Sequence, residues 1–335
     1  MENIVKTLTR KALIDCGKIA LTGDLLSENI KISDVLKMPF VKGIKAINGD
    51  ISAVGGAVRD EILGKGNKDV DVIVRNIPLN KLIDLLSEYG TVDAVGKSFG
   101  VLKFNPHGIK LEEPIDIAIP RTERRMNDNE REEYKKIHGK YPTDYQAFVS
   151  DTNHELEIKH DLARRDFTIN AMTRLEDGTL YDPFGGETDL NNKIIRMVSP
   201  KSFLDDPLRM LRSVNFASRF NFTIEPKTLR AIQQNADKIN GITGERILIE
   251  LDKVISKGNP EIGLYWLIKT GLYKAIFGVD FNGNEDFVNK SKTLSEFMYS
   301  LMGGVSNPKE LFLSKFKGDI NTAKEIEALN YVWSN

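Results

Sequence analysis

The stretch Ala53–Val74, AVGGAVRDEILGKGNKDVDVIV, constrains this chain more than any other. An apolar run reaches the pair Gly55-Gly56, then a short helical segment carries Arg59 and Asp60, and a loop rich in glycine and lysine leads into a second apolar run. That second run holds Asp69 and Asp71 two positions apart among Val70, Val72, Ile73 and Val74. Residues i and i+2 of a strand emerge on one face, so two carboxylates stand side by side on an otherwise buried strand. Such neighbours repel unless a divalent cation neutralises them, and oxygen-only ligands suit Mg²⁺. A glycine pair lets backbone N–H groups come close to a phosphate. These are parts for handling a nucleoside triphosphate with a metal. Alone, they suit kinases, nucleases and polymerases equally.

Composition narrows the class. At 335 residues, with 41% apolar and 28% charged residues, the chain can bury a substantial core as one large domain or two to three modules. No run approaches the roughly 18 apolar residues of a membrane span. The first residues lack the apolar core of a secretory signal, and Glu2 and Asp15 argue against a transit peptide, so a cytosolic protein is expected. One cysteine, Cys16, allows neither an internal disulfide nor a cysteine-based zinc site. The net charge of −1 conceals a local excess: Lys193 to Arg230 holds eight Lys/Arg against three Asp/Glu, a candidate phosphate-facing surface or simply a solvated helix face.

In chain order, residues 1–30 read as an amphipathic helix with Ile4, Leu8 and Ala12 in step, then a loop. Asp34 to Ala46 reads as a helix kinked or split at Pro39, and Ile77–Tyr89 as another, ended by Gly90. Thr91–Val95 and Ser98–Phe104 are β-rich. Pro114–Ile119 alternates Ile115, Ile117 and Ile119 against Asp116 and Ala118. Beside the Asp69/Asp71 strand, Asp116 can complete a three-carboxylate site; otherwise it is an ordinary solvent-facing residue. From Arg121 to His160 the periodicity is lost, which predicts a mobile loop over the active site. His160-Asp161 has no companion cluster at metal spacing, so an HD-type phosphohydrolase site is not expected. Ala163–Met172, ARRDFTINAM, reads as a charged helix start, and Phe203–Phe222 as one strong helix with Pro207 at its first position and Asp205 or Asp206 capping it. Asp206, Arg209 and Arg212 follow at three-residue spacing. From Pro226 the pattern is helical to the end.

GGAVRD with DVDV, then RRDFTINAM, DDPLRMLRSVNFASRF and GERILIEL, resemble in order the class II tRNA nucleotidyltransferases. That family comprises the CCA-adding enzymes and the related bacterial poly(A) polymerases, in the nucleotidyltransferase superfamily of DNA polymerase β. The resemblance covers about residues 45–280. It implies an α+β fold: a polymerase-β-like head of mixed sheet and helices, followed by an all-helical neck and short body. On that plan 1–32 is an N-terminal extension and 33–198 the head with its mobile loop 121–160. Residues 199–258 are the neck that binds base and RNA, and 259–335 a short body, with no counterpart of the family's tail. The chain has Asp205 where the family usually has Glu, and its loop after Arg121-Thr122-Glu123 is longer than usual.

Residue by residue, the resemblance implies that Gly55 and Gly56 hold the triphosphate by their backbone, with Arg59 adding positive charge. Asp69 and Asp71 bind catalytic Mg²⁺, and Asp116 is the third carboxylate. Arg165 and Asp166 match the motif whose aspartate contacts the ribose 2′-hydroxyl. Asp206 and Arg209 match the pair that reads the incoming base, and Arg212 steadies the phosphates. The expected partners are tRNA or another RNA 3′ end, with CTP and ATP, and no membrane. The expected activity is addition of CMP and AMP to the tRNA 3′ end. A poly(A) polymerase, or an enzyme adding only CC or only A, is the alternative, and a catalytically dead RNA-binding module the distant one. Without the other motifs, Asp206 is only a helix cap and Arg164-Arg165-Asp166 only a solvated helix start.

Overall fold

The computed structural model describes residues 30–67, 69–94, 100–142, 148–303 and 305–334. The amphipathic segment read at 1–30, and parts of the two β-rich runs around residues 95–99, lie outside the described residues. The chain divides into two compact units. The first holds the described residues to Arg124, with 149–163 and 170–187; the second holds 125–148, 164–169 and 188 onward.

In the first unit, α1 (Ile32–Val35) and α2 (Pro39–Ala46) are separate helices, because Pro39 opens α2 at its first turn after an extended Met38. Next come β1 (Asp50–Val54), α3 (Gly56–Ile62), β2 (Val72–Arg75), α4 (Leu79–Ser87), β3 (Gly90–Asp93), β4 (Val101–Pro106) and β5 (Ile115–Ala118). With β8 (Thr173–Leu175) and β9 (Leu180–Tyr181) these form a seven-stranded sheet in the order β3-β4-β5-β2-β1-β8-β9. It is mixed: β2 and β5 are parallel, while β1 pairs antiparallel with both β2 and β8. Val72, Ile73, Val74, Leu102, Phe104 and Ile117 are buried on the sheet. Each fully buried side chain of that size stabilises the fold by about 1.5–3 kcal/mol.

The segment 121–160, expected as a mobile loop, contains regular secondary structure. A two-stranded ribbon joins β6 (Arg121–Arg125) and β7 (Phe148–Thr152), with α5 (Asp128–His138) between them in sequence and α6 (Ile158–Ala163) after them. Helix α5 has no buried residue, so hydrophobic periodicity could not reveal it. Its ends are specified instead by reciprocal hydrogen bonds between Asn127 and Glu130 and by Gly139 in the left-handed region.

The second unit continues through α7 (Gly186–Asn191), β10 (Ile194–Ile195), α8 (Ser202–Asp205), α9 (Leu208–Phe220), β11 (Thr223–Ile224), α10 (Pro226–Asn235) and α11 (Gly244–Lys257). Helices α12 (Pro260–Lys269), α13 (Leu272–Phe277), α14 (Glu285–Lys290), α15 (Leu294–Leu301), α16 (Pro308–Lys315) and α17 (Ile320–Ser334) complete it. The helix expected over 203–222 is two helices. Pro207 forces Asp206 into an extended conformation (φ −144°, ψ 101°) and ends α8 there. Asn221 (φ 57°) closes α9, and β11 then pairs in parallel with β10. The ARRDFTINAM stretch is not a helix start: α6 ends at Ala163, and Thr168–Asn170 is a single 3₁₀ turn.

Candidate functional site

In the first unit the candidate residues gather where β1, β2 and β5 lie side by side. β1 runs into Gly55, whose φ of 74° and ψ of −131° suit only glycine. Gly56 then starts α3. Val54 N–H donates to the Asp71 carbonyl at 2.9 Å, which fixes the glycine turn against the aspartate segment. The regular strand β2 begins only at Val72, so Asp69 and Asp71 sit on its extended lead-in. The alternation nevertheless holds, with Val70 and Val72 buried and both aspartates exposed. Val72 is level with Ile117, so Asp71 is level with Asp116 on the same side of the sheet, one strand spacing (about 4.8 Å) away.

Lys103, which sequence reasoning did not single out, stands directly opposite Asp116 on β4 and donates to its Oδ1 at 2.9 Å. The hydrogen bond to Asp116 and the negative charges of Asp116, Glu113 and Asp71 hold the Lys103 ammonium above its ordinary pKa, against a smaller opposing effect of burial. At the three-carboxylate site expected from the sequence, Asp116 thus carries an exposed lysine partner. Among the described residues no three acidic, histidine or cysteine side chains are gathered closely enough to hold a metal by themselves. Two exposed carboxylates beside a glycine turn do fit a hard cation that takes its other ligands from water and substrate phosphate. Arg59, expected to add positive charge beside the triphosphate, is buried with its guanidinium bonded to neighbouring side chains. It is 5% exposed, grips Asp60 through Nε and Nη2 (2.8 and 2.9 Å) and donates Nη1 to Asn170 at 2.6 Å. The bond to Asn170 ties α3 to the 3₁₀ turn at Thr168–Asn170.

In the second unit the RRD motif is anchored by Phe167. Its fully buried ring meets those of Phe203 and Phe216, and its backbone bridges to Met197. Half-buried Arg165 precedes Asp166, which is 7% exposed. Asp166 Oδ1 accepts from the Phe167 N–H at 2.8 Å, and its Oδ2 accepts from Nε and Nη2 of Arg212, both at 2.8 Å. Burial acts to lower the pKa of Arg212, but Asp166, Glu250 and Asp206 outweigh it and raise it. Arg212, expected to steady phosphates, is therefore an Asp166 partner here, as adjacent carboxylates dictate.

Asp206 and Arg209 do not pair with each other. Asp206 Oδ1 caps α9 by accepting from the Leu208 N–H, and its Oδ2 accepts from Arg246 of α11 at 3.1 Å. Arg209 donates to the Ser202 hydroxyl at 3.1 Å and the Arg164 carbonyl at 2.8 Å. The break at Pro207 directs the two side chains to different partners. Arg246 and Glu250 lie in the GERILIEL motif, and their four-residue spacing on a helix was the available signal for them.

Two family profiles match the chain: "Poly A polymerase head domain" over residues 51–196, and "Probable RNA and SrmB- binding site of polymerase A" over 221–278. The Multifunctional CCA protein of Haemophilus influenzae is 38% identical over 232 residues, covering 68% of this chain and 49% of that protein. The chain belongs to the CCA-adding enzyme and poly(A) polymerase family. The CCA-adding enzyme of Pediococcus pentosaceus is 34% identical over 271 residues, 78% of this chain and 59% of that one. A Bacillus stearothermophilus CCA-adding enzyme solved in complex with CTP superposes with a TM-score of 0.68 at 26% identity, covering 91% of this chain and 71% of that one. The chain spans about half the length of the first of these curated relatives. The family's head profile spans the glycine turn, Asp69, Asp71, Asp116 and Asp166, whereas Asp206, Arg209 and Arg212 fall between the two profiles. Divalent metal use follows from family membership. No described helix is long and apolar enough to cross a membrane.

Proposed function

We propose that this chain is a cytosolic, Mg²⁺-dependent RNA 3′-terminal nucleotidyltransferase that adds CMP and AMP from CTP and ATP to the 3′ end of tRNA, releasing pyrophosphate. The observation that carries the reading is the exposed pair Asp69 and Asp71, level with Asp116 and bound by backbone to the Gly55 turn. The names of the relatives, and the CTP in the Bacillus stearothermophilus complex, support the substrate assignment.

Gly55 and Gly56 offer backbone N–H groups to the triphosphate. Asp69 and Asp71 hold Mg²⁺, with Asp116 beside them; bound there, the metal supplies charge neutralisation for the departing pyrophosphate and a lower pKa for the attacking hydroxyl. Asp166 accepts from the ribose 2′-hydroxyl, with Arg165 beside it and Arg212 orienting it. Asp206 and Arg209 read the base. Arginine offers only donors and an ionised aspartate only acceptors. Cytosine and adenine share an exocyclic amino donor beside a ring-nitrogen acceptor, so one such set accepts both and disfavours guanine and uracil.

A poly(A) product is the second reading, favoured by the description of the head-domain profile. The test offers each triphosphate separately, with Mg²⁺, to tRNA lacking CCA, tRNA ending in C or CC, and an unrelated RNA, followed by sequencing of the products. CTP and ATP additions confined to tRNA and stopping at CCA support the proposal. Long A-tracts on any RNA select the second reading. Addition of only CC or only A selects a partial enzyme. Incorporation of GTP or UTP as efficiently as CTP removes the base-reading role of Asp206 and Arg209.

A further inference from the structure

Glu250 lies on α11 one turn after Arg246 and is 3% exposed. A carboxylate so far removed from water needs charged or hydrogen-bonding partners. Lys253 Nζ donates to its Oε1 at 2.7 Å, and Asn215 of α9, itself buried, donates to Oε2 at 2.9 Å. Nη1 of Arg212 approaches Oε1 to 3.9 Å. Arg212 gives its other edge, Nε and Nη2, to Asp166. The result is a row of alternating charges, Lys253–Glu250–Arg212–Asp166, with the guanidinium 5.2 Å from the Phe216 ring.

A contact between two helices does not need ions for stability, since apolar residues in place of buried ion pairs are often neutral or better. What the ionised Glu250 does that an apolar residue cannot is pull on Arg212 from the side opposite Asp166. Held from both sides and backed by Phe216, the guanidinium has one orientation, and so does the carboxylate it grips. With Glu250 neutralised, Arg212 keeps long-side-chain freedom at one end, and the donor pair offered to Asp166 is no longer fixed.

We propose that Glu250 is a positioning residue for sugar selection: acting through Arg212, it holds the Asp166 carboxylate in the orientation that accepts the ribose 2′-hydroxyl. This rests on the reading of Asp166 given under the proposed function. The test is equilibrium titration of the full chain with CTP and with dCTP, in Mg²⁺ and without RNA, for wild type, Glu250→Gln, Asp166→Asn and Val254→Ala. Val254 is buried on the same helix outside the charged row. Wild type is expected to prefer CTP, and Asp166→Asn to lose that preference. Glu250→Gln, which keeps the shape and an acceptor for Asn215, is expected to narrow it about tenfold by weakening CTP alone, the scale of one charge-assisted hydrogen bond. Val254→Ala lowers the melting temperature without changing the ratio.

An unchanged preference in Glu250→Gln, with Asp166→Asn losing it, overturns the role of Glu250 and leaves Asp166 standing. A preference that survives Asp166→Asn, or is absent from wild type, overturns both. Equal narrowing by Val254→Ala at a matched drop in melting temperature makes the role structural and overturns the proposal. Should Glu250→Gln not fold, Glu250→Asp, which keeps the charge but withdraws it by one methylene, serves with the same outcomes.

Discussion

Lys103→Met separates the proposed cation site at Asp69 and Asp71, with Asp116 beside it, from the contribution of the Lys103–Asp116 pair to the fold. In the wild type the ammonium lies 2.9 Å from Asp116, with side chains 52% and 37% exposed, and it senses Asp71 as well. At about 3 Å in water Coulomb attraction is roughly 1.4 kcal/mol. Ordering two exposed side chains leaves a net contribution of about 0.2–1 kcal/mol. The variant should therefore lose less than about 1 kcal/mol of folding stability. For a divalent ion at the proposed Asp69/Asp71 site the ammonium acts in the opposite sense, because it repels the ion and offsets the negative charge of Asp116 and Asp71. Removing the ammonium should tighten metal binding by up to about fivefold, since 1.4 kcal/mol corresponds to a factor of ten. Isothermal titration with Mg²⁺ or Mn²⁺, beside calorimetric melting, reads both quantities. The sign of the pH dependence follows from the raised pKa of Lys103. The pair's contribution is complete below the ordinary lysine value of about 10.4 and is lost as pH rises through the elevated one. Wild-type and variant stabilities should converge there. A folded variant that binds metal no more tightly than wild type refutes the placement of the cation at these carboxylates.

Three further outcomes follow from the same geometry. Arg246→Ala releases Asp206 from a half-exposed ion pair at 3.1 Å. It should cost less than about 1 kcal/mol in thermal unfolding, yet reduce the preference for CTP and ATP over GTP and UTP in single-nucleotide kinetics; intact selectivity would mean Asp206 needs no partner. Gly244→Ala would place a Cβ 1.7 Å from the Lys315 carbonyl oxygen, a backbone atom that cannot yield cheaply. Thermal unfolding should show a loss of about 3 kcal/mol, and an unchanged melting temperature would contradict the close approach of α11 to α16. Tyr273, 2% exposed and donating its hydroxyl to the Leu301 carbonyl, is pushed up to about 12 by burial. The stability associated with its neutral form is whole below pH 10 and falls by up to about 2 kcal/mol as pH rises to 12; Tyr273→Phe should abolish that fall in denaturant titrations at high pH.

The candidate site was legible because chemistry and burial demand different residues at alternate positions. Val70 and Val72 mark the core side of the segment, which leaves Asp69 and Asp71 only the other face. Gly55 is likewise dictated by its backbone. The partners of the charged residues were hidden for a different reason. Lys103 meets Asp116 through strand pairing, and Arg246 meets Asp206 across 40 residues of chain; neither relation has a local signature. The Asp206–Arg209 spacing suggested a pair, but helical spacing applies only within a helix, and Pro207 ends one helix and begins another there. The helix inside the 121–160 segment was not legible because α5 buries nothing. Its Asn127–Glu130 capping signature was present in the sequence, but a search led by apolar periodicity passes over it.

Pyrophosphate release on mixing the chain with Mg²⁺, CTP and tRNA lacking its CCA end tests the central claim most directly. The account predicts release matched by one or two added C residues in the wild type, with rates reduced by at least about a thousandfold in Asp69→Asn and Asp71→Asn, whose folds remain intact by circular dichroism. Undiminished release in either folded variant would contradict it.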